Sequence, residues 1–344
     1  MLDIFGFVLA LGITAAAIPV LARFAPGWRM VAQAGPRMQH EGSIPTVGGL
    51  AMGVAFIASY VLTGLAFHTA GLSHLLATAV AITLVGGVLD DRHALRSLPK
   101  FAFQIAAAAL LAVYGDALLT HLGTLMSEEL FTLGRWALPL TIFALVGVMN
   151  AINMADGLDG LAGALALAAC IGFGAAASFA RHGPEFAVLC ITAGATLGFL
   201  FFNARLPWRA RAAVFMGDTG SLLLGLLLGW CAVRLAMNER AALAPITAVW
   251  ILALPIADTV TLLVRRSLRG RNPFKADRHH MHHILMALGL SSARTTALLF
   301  WIALALGAGA LAADRLGVPQ HVMFYLYVVC LVAWGITAEI ACRK

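Results

Sequence analysis

The amino-acid sequence predicts an all-α, polytopic membrane protein of about 11 transmembrane helices, N-terminus outside and C-terminus cytoplasmic, and three observations carry that prediction. Of 344 residues, 61% are hydrophobic and 11% are charged, against roughly 45–50% and about 25% in soluble domains. The apolar residues gather into runs near the ~20-residue length that crosses a bilayer. The basic residues fall mostly in alternate loops.

The runs lie at about 2–22, 46–67, 75–91, 99–115, 135–151, 159–180, 186–203, 213–234, 242–266, 294–313 and 319–341. The run at 75–91 is short and ends in two acids. The first run has no basic n-region and no small-residue cleavage site, so it reads as a retained helix, not a signal peptide. Connections are short, with no Ser- or Pro-rich linker and no internal repeat, so a single membrane domain over 1–344 is expected.

Of the 23 Lys and Arg, 18 fall in one set of alternating loops and the C-terminal tail, and 5 in the other. The first set includes Arg23, Arg92, Lys100, Arg205 and the stretch from Arg265 to Arg294. The positive-inside rule assigns that set to the cytoplasm. This bias accounts for the net charge of +7, so no nucleic-acid partner is expected. Membrane lipid and phosphate-bearing ligands remain suitable partners. The five cysteines have no metal-ligand spacing and read as free thiols.

Acids are costly near lipid, about 2.5–3.5 kcal/mol each on an insertion scale. Five of the sixteen Asp and Glu nevertheless sit at helix ends or turns assigned to the cytoplasm: Asp90, Asp91, Asp156, Asp159 and Asp218. Asp90 and Asp91 are adjacent carboxylates that need a nearby cation, which Lys100 or a divalent metal could supply. Without one they are a solvated helix end. In "NAINMADGLDGLAG", Asn150, Asn153, Asp156 and Asp159 recur every three residues and on a helix form one polar stripe. Gly157 and Gly160 permit a turn beside it. Capping by Asp159 would explain one of the four. In "VFMGDTGSLLLG", Asp218 is either the cap of an apolar helix or a Mg²⁺ ligand, since Mg²⁺ takes one or two carboxylates plus substrate phosphates. Phe215 beside it could stack on a base or simply pack.

The longest cytoplasmic loop holds "RRSLRGRNPFKADRHHMHHIL". Four histidines among Arg and Lys, with no cysteine nearby, suit an anion better than zinc. Asp258, inside the run before that loop, reads as a structural partner for an Arg or a backbone donor, away from the main cluster.

Six stretches in this order resemble the polyprenyl-phosphate N-acetylhexosamine-1-phosphate transferase family: "GSIPTVGGLAMG", "LDDRHALRSLPKFAFQ", "NAINMADGLDGLAG", "VFMGDTGSLLLG", "PIADTVTLLVRR" and "PFKADRHHMHHIL". The form "DRHHMHHIL" is similar to the branch that moves N-acetylglucosamine 1-phosphate onto undecaprenyl phosphate. The stretch "GPRMQHEGS" departs from the family form in lacking an Arg-Lys pair. The resemblance implies Asp218 as ligand of a Mg²⁺ cofactor, with Mn²⁺ as a substitute, and Asn153 as a second oxygen donor. It implies Asp90, Asp91 and Lys100 beside the transferred phosphate. Asp156 and Asp159, with Asn150, would line the nucleotide-sugar site, and Phe215 would lie beside uracil. Arg278, His280, His282 and His283 would contact the diphosphate or sugar.

The implied partners are a UDP-N-acetylamino sugar and undecaprenyl phosphate, at the cytoplasmic face of a bacterial inner membrane. The implied product starts a cell-surface glycan. Which amino sugar is used, and whether the chain forms a homodimer, stay open. An ion-coupled secondary transporter is the competing class, because intramembrane acids also mark such carriers. The acids cluster at one face and no inverted repeat is present, which disfavours it. A metallohydrolase built on the histidines is a weaker third reading.

Overall fold

The structure, a computed structural model, describes residues 2–32, 43–67, 74–115, 117–238, 240–270 and 280–341. Arg278 and all of the stretch "GPRMQHEGS" but its last residue, Ser43, lie outside them. The chain begins with α1 (Leu2–Phe24), a short antiparallel pair β1 (Val31–Ala32) and β2 (Ile44–Pro45), and then α2 (Gly48–Phe67), α3 (His74–His93) and α4 (Ser97–Tyr114). It continues through α5 (Ala137–Ala155), α6 (Leu161–Ala180), α7 (Gly183–Asn203), α8 (Gly217–Met237), α9 (Pro245–Ile251) and α10 (Ala253–Leu268). The last helices are α11 (Met281–Ala287), α12 (Ser292–Arg315) and α13 (Gln320–Ala341).

Among the described residues, ten helices are long and apolar enough to cross a membrane, and α9 with α10 makes an eleventh if the pair is one span. Only helices and closed barrels satisfy their own backbone in lipid, so an all-α, multi-pass protein follows. The run at 75–91 is a full helix of 20 residues.

Two runs differ from the expectation of plain helices. The run at 242–266 bends by 86° between α9 and α10. Pro255 explains the break: it has no N–H to give the Ile251 carbonyl, so α9 cannot continue past Leu252. The run at 213–234 begins extended. Phe215 N–H donates to the Pro45 carbonyl at 2.8 Å, and Gly48 N–H donates back to Phe215 at 3.0 Å. Helix starts only at Gly217, whose φ of +70° turns the chain into α8.

Helix α8 is the hub, with 83% of its apolar window enclosed, against 17% for α13. Its neighbours approach it through small residues. A Cβ at Gly49 of α2 would lie 2.1 Å from the Gly220 nitrogen, one at Gly87 of α3 2.4 Å from the Thr219 Cα, and one at Gly225 2.4 Å from the Met149 Cα of α5. Lipid offers no hydrophobic drive between helices, so such close van der Waals packing holds them together. It also draws the ends of α3 and α5 onto the start of α8. At the opposite end, buried Glu185 accepts from Arg234 at 2.8 Å, anchoring α7 to α8.

Candidate active site

The start of α8 organises the site. Asp91, at the end of α3, aims its carboxylate at the free N–H groups there. It accepts from Asp218 N–H at 2.7 Å, Thr219 N–H at 3.1 Å and the Thr219 hydroxyl at 2.5 Å. Asp91 therefore caps α8 from another helix, matching its negative charge to the positive helix end. Asp218 does not cap; the structure corrects that alternative. A Cβ on Gly217 would fall 2.5 Å from the Asp91 carboxylate, so glycine there permits the cap.

Freed from capping, Asp218 points into the gap between helices. Its Oδ2 accepts from Lys100 Nζ at 3.1 Å, and its Oδ1 from the Asn153 amide at 2.9 Å. Lys100 also pairs with Asp90 Oδ2, while Asp90 Oδ1 accepts from Leu95 N–H at 2.8 Å. Asn153 reaches Ser221 Oγ at 2.9 Å. Beneath Lys100 lies a cavity of about 10 Å³, lined in part by Asp90, Phe103, Gln104 and Met149, with room for about one water.

Helix α5 ends at Ala155, so Asp156 and Asp159 lie in a turn and not on a helical stripe; this too corrects the expectation. Asp156, half-buried, has its carboxyl pushed up to about 7, first by burial and then by the charges of Asp218, Asp91 and Asp159. Asp159 turns away. It accepts from Arg205 Nε at 2.7 Å and Ala212 N–H at 3.3 Å, tying the turn to the loop before α8. It does not cap α6, whose first turn is preceded by Gly160 at φ +81°. Asn150 also leaves the cluster: its amide donates to Gln104 Oε1 at 2.6 Å and the Val146 carbonyl at 2.7 Å. Phe215 is half-buried on the extended segment beside Asp218.

The histidines approach from α11. His280 and His282 stack with ring centroids 5.4 Å apart, and His282 and His283 lie 4.3 Å apart. The His282 ring lies against the turn after α5, where a Cβ on Gly157 would meet its Nε2 at 2.4 Å. Burial first, then His283 and His280, lowers the His282 pKa to about 3, so the ring is neutral. The Nε2 atom is buried with no hydrogen-bond partner among the described residues. Asp258 accepts from the Met281 backbone N–H at the start of α11, the kind of partner expected of it, but it also faces His280, so it is not set apart from this cluster.

Two supporting residues escaped the sequence reading. Buried Asn203 accepts from Gly160 N–H at 2.7 Å and donates to the Val214 carbonyl at 2.8 Å, fastening the turn after α5 to the lead-in of α8. Gln104 holds Asn150. Each is an amide inside or at the end of an apolar run, and that was the available clue.

Carboxylates, one lysine and a neutral imidazole thus gather at one end of a bundle of membrane-length helices, which defines the class as a polytopic membrane protein with a polar site at one end. Residues 72–236 match the sequence profile of glycosyl transferase family 4. The chain is 32% identical over 305 residues to the undecaprenyl-phosphate alpha-N-acetylglucosaminyl 1-phosphate transferase of Escherichia coli (strain K12), covering 87% of this chain and 81% of that one. It is 31% identical over 312 residues to the enzyme of that name from Yersinia pestis, covering 89% and 83%. Against the Salmonella typhi enzyme the figures are 32% over 301 residues, 87% and 81%. The chain belongs to this family of membrane glycosyl transferases, which also settles the choice against a secondary transporter.

Proposed function

We propose that this protein transfers N-acetylglucosamine 1-phosphate from UDP-N-acetylglucosamine to undecaprenyl phosphate, releasing UMP. The whole chain acts as one domain at the cytoplasmic face of a bacterial inner membrane, starting a cell-surface glycan. The observation that carries this reading is the meeting of Asp90, Asp91, Lys100, Asn153 and Asp218 from four helices, with Asp156 from the turn after α5, at one end of the bundle in a chain of this family. The Lys and Arg bias supports a cytoplasmic placing of that end.

An oxygen of the acceptor phosphate attacks the sugar-bearing phosphorus. The bond from that phosphorus to the bridging oxygen breaks, and UMP leaves with the bridging oxygen. Phosphoryl transfer needs mainly positioning and charge neutralisation. In this reading Lys100, paired with Asp90 and Asp218, holds one phosphate oxygen, and the histidines cover the diphosphate. The second pKa of a phosphate monoester is about 6, so most acceptor is dianionic at neutral pH and no general base is required.

The residues present fit Mg²⁺ or Mn²⁺. Among the described residues no group of three or more His, Cys, Asp or Glu could hold a metal by itself, but Mg²⁺ commonly binds through one or two carboxylates plus substrate phosphates. Asp218 would supply the carboxylate, and Asn153, whose amide now donates to Asp218, would supply an oxygen once turned. The crowding of Asp156 by three other carboxylates marks a place where a cation is stabilised. When bound, the ion would neutralise charge on the diphosphate.

Purified protein with undecaprenyl phosphate, Mg²⁺ and a panel of UDP-N-acetylamino sugars tests the reading. Labelled lipid and equimolar UMP are expected from UDP-N-acetylglucosamine; no labelled lipid from any donor would sink it.

Two variants probe the roles assigned. Asp91→Asn keeps one acceptor oxygen for three donors, so α8 loses its anchor and activity falls roughly a hundredfold. Assay at pH 9 does not restore it, because Asp91 is not a base; recovery at pH 9 would show that it is. Gly157→Ala adds a methyl against His282 Nε2 and displaces the histidine loop. A misplacement of about 1 Å can cost about a hundredfold, so kcat/KM for the UDP-sugar drops by roughly that factor while thermal unfolding in detergent is little changed. Wild-type kinetics from this variant would remove His282 from the site.

A further inference from the structure

Asp258 is a buried acid on α10, 7% exposed, in the apolar run that bends by 86° between α9 and α10. Both of its carboxylate oxygens are engaged by the start of α11. Oδ2 faces His280 Nδ1 at 2.8 Å, and Oδ1 accepts from Met281 N–H at 2.7 Å. His280 is the residue at which extended chain becomes helix, with φ −69° and ψ 155°. It is 9% exposed. The carboxylate thus meets the start of α11 at His280.

A carboxylate accepts and does not donate, so Nδ1 of His280 must carry a proton. In the neutral ring this leaves Nε2 as the lone-pair nitrogen. A hydrogen bond to one ring nitrogen fixes both the tautomer and the ring plane. That plane is passed on. His282 lies almost parallel to His280, 9° apart, and its other edge rests on Gly157, next to Asp156. The links therefore run from the buried acid, through two stacked imidazoles, to Gly157, the neighbour of Asp156 in the chain.

We propose that Asp258 is a positioning residue of the active site: it sets the tautomer and plane of His280 and thereby aligns the histidine loop over the carboxylate cluster. The proposal rests on the transfer reaction given above. A purely structural anchor would need only the Met281 contact, and a carboxamide oxygen serves that equally well. The charge-bearing acceptor facing an imidazole is the part that a structural role leaves unexplained.

A double-mutant cycle separates the two. Asp258→Asn keeps an oxygen for Met281 N–H but turns an NH₂ donor toward His280. The expected result is a fall in kcat/KM for UDP-N-acetylglucosamine of roughly tenfold to a hundredfold, the range for partners that orient a functional histidine. Unfolding temperature in detergent stays close to wild type. His280→Ala alone lowers activity, and adding Asp258→Asn to it then changes kcat/KM by less than about twofold. If the Asp258→Asn loss persists in full on the His280→Ala background, or if Asp258→Asn keeps wild-type kcat/KM, the proposal is overturned. Should Asp258→Asn fail to fold, Asp258→Glu, which keeps both acceptor oxygens one methylene further out, completes the same cycle. Inactive wild-type protein would instead count against the proposed reaction.

Discussion

Asp218→Asn lowers the rate of UMP release by about a thousandfold, the scale at which a group facing developing charge is lost, and leaves the fold standing. The two halves of this expectation have separate causes. The fold survives because Asp218 does not hold the start of α8; Asp91 does, through backbone N–H groups and the Thr219 hydroxyl that the substitution leaves alone. Asparagine has the same shape and can still reach Asn153. Lys100 keeps its pairing with Asp90. Activity fails because the substitution removes the one charged ligand assigned to the cation and leaves only neutral amide oxygens, which bind it more weakly. The measurement is UMP release at saturating undecaprenyl phosphate and Mg²⁺, beside thermal unfolding in detergent. A variant with more than a tenth of wild-type turnover would remove Asp218 from its assigned role. A variant that unfolds early would show that its hydrogen bonds carry more of the structure than the Asp91 cap allows.

Asp156 sets the second large effect. Its carboxyl titrates at about 7, because burial and three neighbouring carboxylates disfavour its charge. The direction follows from the sign of that shift. Folded protein holds the proton more tightly than unfolded chain, so the metal-free fold loses stability as pH rises from about 4 through about 7. A cation on Asp218 is favoured by the charged and not by the protonated form of neighbouring Asp156, so its apparent affinity rises with pH over the upper part of that window. Between pH 8 and pH 6 the ionised fraction of a group with pKa near 7 falls roughly tenfold. The half-saturating Mg²⁺ concentration therefore rises about tenfold over that interval in the wild type, and Asp156→Asn flattens the dependence. Half-saturation measured at fixed saturating substrates checks this. A steep dependence that survives in Asp156→Asn would place the titrating group elsewhere.

Much of this was legible in the residues. Ten of the eleven apolar runs became single long helices and the eleventh a bent pair, because lipid leaves a backbone no other partner than itself. The acids and histidines that stood out were those the composition could not otherwise explain. Less was legible in how each one is used. Asp91 sits one residue from Asp90, yet one carboxylate caps a helix and the other pairs with Lys100. Residue spacing could not show this, since the partner N–H groups lie 127 and 128 residues away. The three-residue spacing from Asn150 to Asp159 suggested one stripe, but the helix stops at Ala155. Asn150 then turns to Gln104 and Asp159 to Arg205, and only Asn153 and Asp156 stay with the cluster.

The sequence by itself determined that the chain lives in a membrane and gathers acids, a lysine and histidines at one end. Periodicity, length and charge are local properties that need no partner to be read. The tertiary structure alone decided which acid faces the cleft. That choice depends on small residues at Gly49, Gly87 and Gly225, which let three helices close on α8 and present its N-terminus to Asp91. It also joined Asp258 to the histidine loop, because the break at Pro255 and the course of α10 set that acid beside α11.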